Sequence, residues 1–181
     1  MPSSSLFRIG GIAAILSVIA YIVSLGAQFA GNPGGLGQPI YLVSTLLFLV
    51  ALVVLYLELR STAGLLALAG LILLGATSIY SFLIDPAQPS SAFGPLSLLY
   101  GLGFILFGWA QRGSDRYPNL VGLLALITGA LAIIAGVALF AGASFDIFGL
   151  FNLLLSIPFV IWLAWLGKIW LTGRATAAQP A

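Results

Sequence analysis

Any chemistry in this chain would have to be carried by four acidic and six basic side chains, because it contains no histidine and no cysteine. The acids are Glu58, Asp85, Asp115 and Asp146; the bases are Arg8, Arg60, Arg112, Arg116, Lys168 and Arg174. Without histidine the usual general base and the commonest metal ligand are missing, and without cysteine there is no thiolate nucleophile or thiolate metal site. A Ser-His-Asp arrangement is therefore excluded, and no lysine lies deep enough in an apolar segment to activate a serine instead. Asp85 and Asp146 fall on the same side of the chain plan, but two carboxylates hold a hard cation weakly without further oxygen ligands. The expectation is a non-enzyme with no catalytic residue, no metal and no cofactor.

Uncharged hydrogen-bonding groups are more informative. Gln28, Asn32, Gln38, Tyr41, Ser44, Tyr80, Ser81, Ser97, Tyr100 and Asn152 gather toward the same end as Asp85 and Asp146. Asn152 stands out, since it lies inside the last apolar segment, where an unpaired amide is expensive. An interhelical hydrogen bond is its expected use. If a ligand binds anywhere, the candidate residues are Asn152, Asp85, Asp146, Tyr100 and Gln28. Asp146 is also placed to cap the helix that follows it. Glu58 and Arg60 read as a boundary pair at a helix end. Trp109, Tyr117, Trp162, Trp165 and Trp170 read as an interfacial aromatic belt, with Arg112 and Lys168 snorkelling from the same level.

The elements that must position these groups follow from the spacing of the charges. Of the 181 residues 61% are hydrophobic and only 6% charged, against about 25% charged in soluble domains. Each long uncharged interval can cross a hydrocarbon layer of about 30 Å. The reading is an all-α polytopic bundle, one domain over residues 1–181, with spans at 9–30, 40–57, 62–84, 92–110, 120–142 and 147–171 and a polar tail at 172–181. Turn signals separate the spans at Asn32-Pro33-Gly34-Gly35, Asp85-Pro86 and Tyr117-Pro118-Asn119. With six spans all six Lys and Arg residues fall on one side, which the positive-inside rule makes cytoplasmic, together with both termini. The first segment is too long for a cleaved signal, and Gln28 and Phe29 spoil its cleavage pairs. A net charge of +2 is too small for a nucleic-acid surface, so the lipid bilayer is the expected partner.

Lipid is as apolar as leucine, so such helices associate where small residues let backbones approach. Gly10, Ala13, Ser17, Ala20, Ser24 and Ala27 form one stripe, and Gly122, Ala125, Gly129, Ala132 and Gly136 form another; Gly94, Ser97, Gly101 and Gly108 make a third. The expected packing residues are Gly10, Ala13, Ser17, Ala20, Gly101, Gly122, Gly129 and Gly136. The leucine- and valine-rich second span and the aromatic half of the sixth are expected to face lipid. Similar openings at Gly11-Ile12-Ala13, Gly64-Leu65-Leu66-Ala67-Leu68 and Gly122-Leu123-Leu124-Ala125-Leu126 suggest three repeated helical hairpins.

The closing segment, Pro158-Phe159-Val160-Ile161-Trp162-Leu163-Ala164-Trp165-Leu166-Gly167-Lys168, and the opening Arg8-Ile9-Gly10-Gly11 resemble small bacterial six-helix membrane-protein families of unassigned function. That resemblance implies a multi-pass protein of the bacterial cytoplasmic membrane and transfers no functional residue. In length, helix number and topology the chain is also similar to the substrate-capture subunits of energy-coupling-factor vitamin transporters, whose small-residue first helix docks a partner. Function is accordingly expected to be non-catalytic. The first expectation is an accessory subunit or a homo-oligomer acting through a membrane-protein partner. The alternative is binding or transport of a small neutral or lipophilic solute from the outer side. The two differ in whether the polar cluster surrounds a cavity or closes on itself.

Overall fold

A computed structural model describes residues 4–30, 33–83 and 90–173, and among them every regular element is helical. The helices are α1 (Ser4–Phe29), α2 (Gln38–Tyr80), α3 (Phe93–Arg112), α4 (Asn119–Phe140) and α5 (Phe145–Thr172). A π-helical turn at Pro33–Gly37 links α1 to α2. Five helices are long and apolar enough to cross a membrane, so the chain has the build of a multi-pass membrane protein. Helices are the natural answer for such a sequence, because they satisfy their own backbone hydrogen bonds where no water can.

One expected loop is missing. The stretch 58–61 was expected to separate two spans, but α2 runs through it for 43 residues, about 65 Å at 1.5 Å per residue if it were straight. Glu58, Leu59 and Arg60 are good helix formers, and neither proline nor glycine interrupts them. The break comes later, at Ala63, whose backbone is non-helical (φ −141°, ψ 42°). Thr62 donates its hydroxyl to the Leu59 carbonyl at 3.2 Å, which satisfies a carbonyl that the kink leaves without its helical partner. Residues before Ala63 pack on α1, through Gly10 against Val54 and Ser17 against Ser44. Those after it pack on α3, through Gly70 against Phe107 and Leu74 against Gly103.

Helices contact one another in chain order, and α5 returns to close on α1. The pairings are antiparallel: Gly94, Gly101 and Gly108 of α3 meet Gly136, Gly129 and Gly122 of α4, while Gly11 and Tyr21 of α1 meet Gly167 and Ser156 of α5. A Cβ added at Gly129 would sit 2.5 Å from the Gly101 carbonyl oxygen, and one at Gly101 would sit 2.6 Å from that of Gly129. At Gly108 and Gly122 the corresponding distances to the facing carbonyls are 2.9 and 2.7 Å. These three heptad-spaced levels bring the two backbones into direct contact. The opening motifs do not play equivalent parts, since Gly11 and Gly122 are tightly opposed whereas Gly64 has nothing within 4 Å; hairpin repetition is not visible in the packing.

The interior is filled from the two places expected to face lipid. Phe48, Leu52, Leu55 and Leu59 of α2 and Trp162, Leu163, Leu166 and Trp170 of α5 are all buried. Small residues draw neighbouring backbones together around the ring, but its centre still has to be filled at close-packed density, and that takes bulk. Phe104 and Phe107 of α3 complete the filling. Two ends can be told apart: Arg8, Arg60, Arg112, Arg116 and Lys168 lie at one, hereafter the basic end, and Asp146 at the other.

Gly129→Ala should lower stability by about 1–3 kcal/mol, because the added methyl meets the Gly101 carbonyl oxygen and the Ile105 backbone nitrogen as well as the Ile105 side chain. Gly75→Ala, with nothing within 4 Å of the new atom, should be neutral or mildly stabilising. Thermal unfolding in detergent compares them, and equal midpoints would refute direct backbone contact between α3 and α4.

Candidate functional site

At the end away from the bases, α1, both segments of α2, α3 and α5 surround a cavity of about 680 Å³. Tyr21, Tyr41 and Tyr100 reach into it from three different helices, joined by Ser44, Thr45, Thr77, Ser78, Ser81, Ser97, Asn152 and Ser156. Phe48 and Phe159 form its floor, and behind them stand Phe104 and Trp162. Phe104 lies edge-on to Phe159 at 5.9 Å and to Trp162 at 5.1 Å. Phe93, Phe145 and Phe148 gather near Asp146 at the mouth, their ring centroids 5.5 to 5.9 Å apart.

Most of the lining hydroxyls are occupied by the helices themselves. Ser17 and Ser44 each donate to the other's carbonyl at 2.9 Å, which pins α1 to α2. Tyr21 and Ser156 share a hydrogen bond of 2.6 Å between α1 and α5, and Ser97 donates to the Ala132 carbonyl of α4 at 2.8 Å. Thr45, Thr77 and Ser81 return to their own helix or turn. Some capacity is left over among the described residues, at the Ser78 hydroxyl and at two larger groups. The Tyr100 hydroxyl makes no hydrogen bond among the described residues. Asn152 donates its amide to the Phe148 carbonyl at 2.9 Å, one turn back in its own helix, and its side-chain oxygen accepts nothing there.

Of the five expected ligand residues, Tyr100, Asn152 and Asp146 are brought together at this cavity. Asp85 and the Gln28 side chain lie outside the described residues, as does Asn32. The expected interhelical bond of Asn152 is absent, because the i−4 carbonyl is nearer to hand than any facing helix. Nor does Asp146 cap α5: Ser144 is the N-cap and accepts from the Ile147 amide at 3.4 Å. Among the expected packing residues Gly10, Ala13 and Ser17 are buried and Ala20 is half-buried, while Gly101, Gly122, Gly129 and Gly136 all lie in the α3–α4 contact. Sequence reasoning missed Tyr21, Ser156, Thr77 and Ser78. The first pair carried a signal, since Tyr21 follows Ser17 by four residues on the small-residue stripe and Ser156 follows Asn152 by four.

A second polar cluster occupies the basic end of the bundle. Glu58 is only 1% exposed. Its Oε2 accepts a short hydrogen bond from the Tyr117 hydroxyl and one of 2.8 Å from Trp170 Nε1. Trp162 Nε1 donates to Gln111 Oε1 at 3.0 Å. Glu58 is therefore not a boundary partner of Arg60, which is exposed. Likewise Tyr117, Trp162 and Trp170 are not belt residues: each is buried, with its polar atom on an internal acceptor. Of the expected belt, Trp109 remains at the surface, 57% exposed, with the Arg112 guanidinium 5.8 Å from its ring centroid. Glu58 Oε1 and Gln111 Nε2 have no protein partner among the described residues. Burial, with the Glu58 carboxyl beside it, pushes the Tyr117 hydroxyl well above its ordinary value of 10.0.

No protein-family model matches the chain, and no curated protein or solved structure is similar to it. The site has therefore to be read from its own geometry. The cavity offers shape, aromatic surface and a few unengaged acceptors and donors, which is the make-up of a small-molecule pocket.

Tyr117 supplies a pH dependence. Its raised value means that the fold retains a proton which the unfolded chain gives up near pH 10. Its contribution is whole below that pH and is lost as pH rises toward the folded value. Tyr117→Phe should lower stability at neutral pH by about 1–3 kcal/mol, because Glu58 loses a donor, and should flatten the decline above pH 10. Chemical denaturation at pH 8 and pH 11 measures both; an unchanged alkaline decline would show that Tyr117 does not set it.

Proposed function

We propose that this is a six-crossing protein of the bacterial cytoplasmic membrane, with both termini cytoplasmic, that binds a small neutral or lipophilic solute from the outer side. The observation that carries this reading is the cavity of about 680 Å³ among α1, α2, α3 and α5. Residues that bound it include a Tyr100 hydroxyl without a hydrogen bond, and an Asn152 side-chain carbonyl that accepts none, among the described residues. A polar cluster that served packing alone would be closed by its own hydrogen bonds. Here several are closed in that way, and the remainder face space of ligand size.

Six crossings follow if the Ala63 break marks the reversal between two spans. The two parts of α2, before and after Ala63, then fall within the roughly 17–25 residues of a membrane-spanning helix. All the Lys and Arg residues come to lie on the cytoplasmic side, and the cavity on the outer side. The alternative of an accessory subunit draws less support. Its docking surface would be the small-residue stripe of α1, and Gly10 and Ser17 of that stripe are already engaged with α2. Binding is favoured over catalysis because no histidine or cysteine is present and the converging groups are hydroxyls and an amide.

Without native cysteines, single-cysteine labelling reads the topology directly. Ala141→Cys should react with an impermeant maleimide on intact cells, and Thr62→Cys only after permeabilisation. Reaction of both from outside would overturn the six-crossing arrangement.

The binding reading is tested by native mass spectrometry of protein released from its own membrane. A reproducible small molecule is expected on the wild type. It should be lost in Ser78→Phe, which places a ring in the cavity. Wild-type protein that carries nothing, or a molecule that survives Ser78→Phe, would sink the proposal.

A further inference from the structure

Among the described residues that line the cavity, Asp146 is the only acidic side chain, and no lysine or arginine is among them. The five bases of the described chain lie at the opposite end, with the Phe48, Phe104, Phe159 and Trp162 rings between. Among the described residues, what faces the cavity is therefore one carboxylate at the mouth and ring faces along the walls. Aromatic faces carry the negative end of a quadrupole and attract cations.

The rings are arranged in two tiers. Phe93, Phe145 and Phe148 form the upper tier beside Asp146, within 5.5 to 5.9 Å of one another. Tyr21, Phe48 and Phe159 form the lower tier, with Tyr21 and Phe48 each edge-on to Phe159 at 5.2 and 5.4 Å. Tyr100 stands against Phe104 at 4.9 Å, and its hydroxyl makes no hydrogen bond among the described residues. Two of the uncommitted polar groups, the Tyr100 oxygen and the Asn152 carbonyl, offer lone pairs. An anion would meet no base here, whereas an organic cation would meet π faces, lone pairs and a carboxylate.

We infer that the ligand of this cavity is a lipophilic organic cation, an apolar or aromatic body bearing a quaternary or protonated nitrogen, with Asp146 drawing the charge to the mouth and the aromatic tiers holding it. This rests on the binding reading above and narrows it from neutral or lipophilic solutes to cations. Asp146 acts from the rim, so it sets affinity and selectivity for charge and is not needed to build the cavity.

The test compares benzyltrimethylammonium with neopentylbenzene, its uncharged isostere, by thermal stabilisation of the full chain in phosphatidylcholine nanodiscs. Ser78→Phe serves as the blocked reference, which subtracts partition into lipid. The cation should stabilise the wild type at about tenfold lower concentration than the isostere, the size of one desolvated cation–π contact. Asp146→Asn should weaken the cation several-fold and leave the isostere unchanged. If the isostere binds as well as the cation, or Asp146→Asn weakens both alike, the charge inference falls and the binding reading stands. If neither compound stabilises the wild type beyond Ser78→Phe, both fall.

Discussion

Direct contact between helix backbones is the constraint on which this structure depends. In a chain this apolar, burying one more leucine gains little, because the surrounding lipid is an equally good solvent for it. What distinguishes one arrangement from another is where backbones can touch. Gly11 supplies such a place on α1, Gly70 and Gly103 between α2 and α3, and three facing glycine pairs between α3 and α4. Gly167 returns the contact from α5 to α1 through the Gly11 carbonyl. With those contacts made, the order of helices round the ring is set.

Drawing the helices together at small residues leaves the centre to be filled, and the filling is uneven along the axis. At mid-height Phe48, Phe104, Phe159 and Trp162 pack together, Phe48 stacked on Phe104 and edge-on to Phe159 and Trp162. At the basic end Glu58 Oε2 accepts from Tyr117 and Trp170, beside the bond between Trp162 and Gln111. Buried polar side chains of this kind are costly unless paired, so the cluster ties α2, α5 and the α3–α4 link into a specific register. At the other end the side chains are serines, threonines and tyrosines whose volumes do not close the space. The cavity is thus a product of the same packing: bulk in the middle, paired polarity at one end, and small hydroxyl side chains at the other.

This division also explains why the polar groups split as they do. Hydroxyls close to a helix carbonyl return to it, as Thr45, Thr77 and Ser156 do, and those opposite a neighbouring backbone pin two helices, as Ser17, Ser44 and Ser97 do. Only a long side chain such as Tyr100 can carry its polar atom away from both. Its free hydroxyl is a consequence of reach. The same reach, turned toward the basic end, lets Tyr117 find Glu58.

The sequence by itself determined the class of the protein, because apolar length, scarcity of charge and one-sided placement of arginine are local or additive properties. It also located the small-residue faces of α1, α3 and α4, since helical periodicity puts Gly101 and Ser97, or Gly122 and Gly129, on one side whatever they meet. The tertiary structure alone decided what those faces met and what became of the large side chains. Phe48, Leu52, Trp162 and Trp170 read as lipid-facing or interfacial, since nothing in an apolar run says which flank of a helix points inward. Glu58 read as a surface charge because its partners, Tyr117 and Trp170, are 59 and 112 residues away. The candidate site was half legible: its end of the bundle and Tyr100, Asp146 and Asn152 follow from composition and depth. That those groups surround open space depends on the difference between side-chain volume and the distance between helix axes, which no single segment encodes.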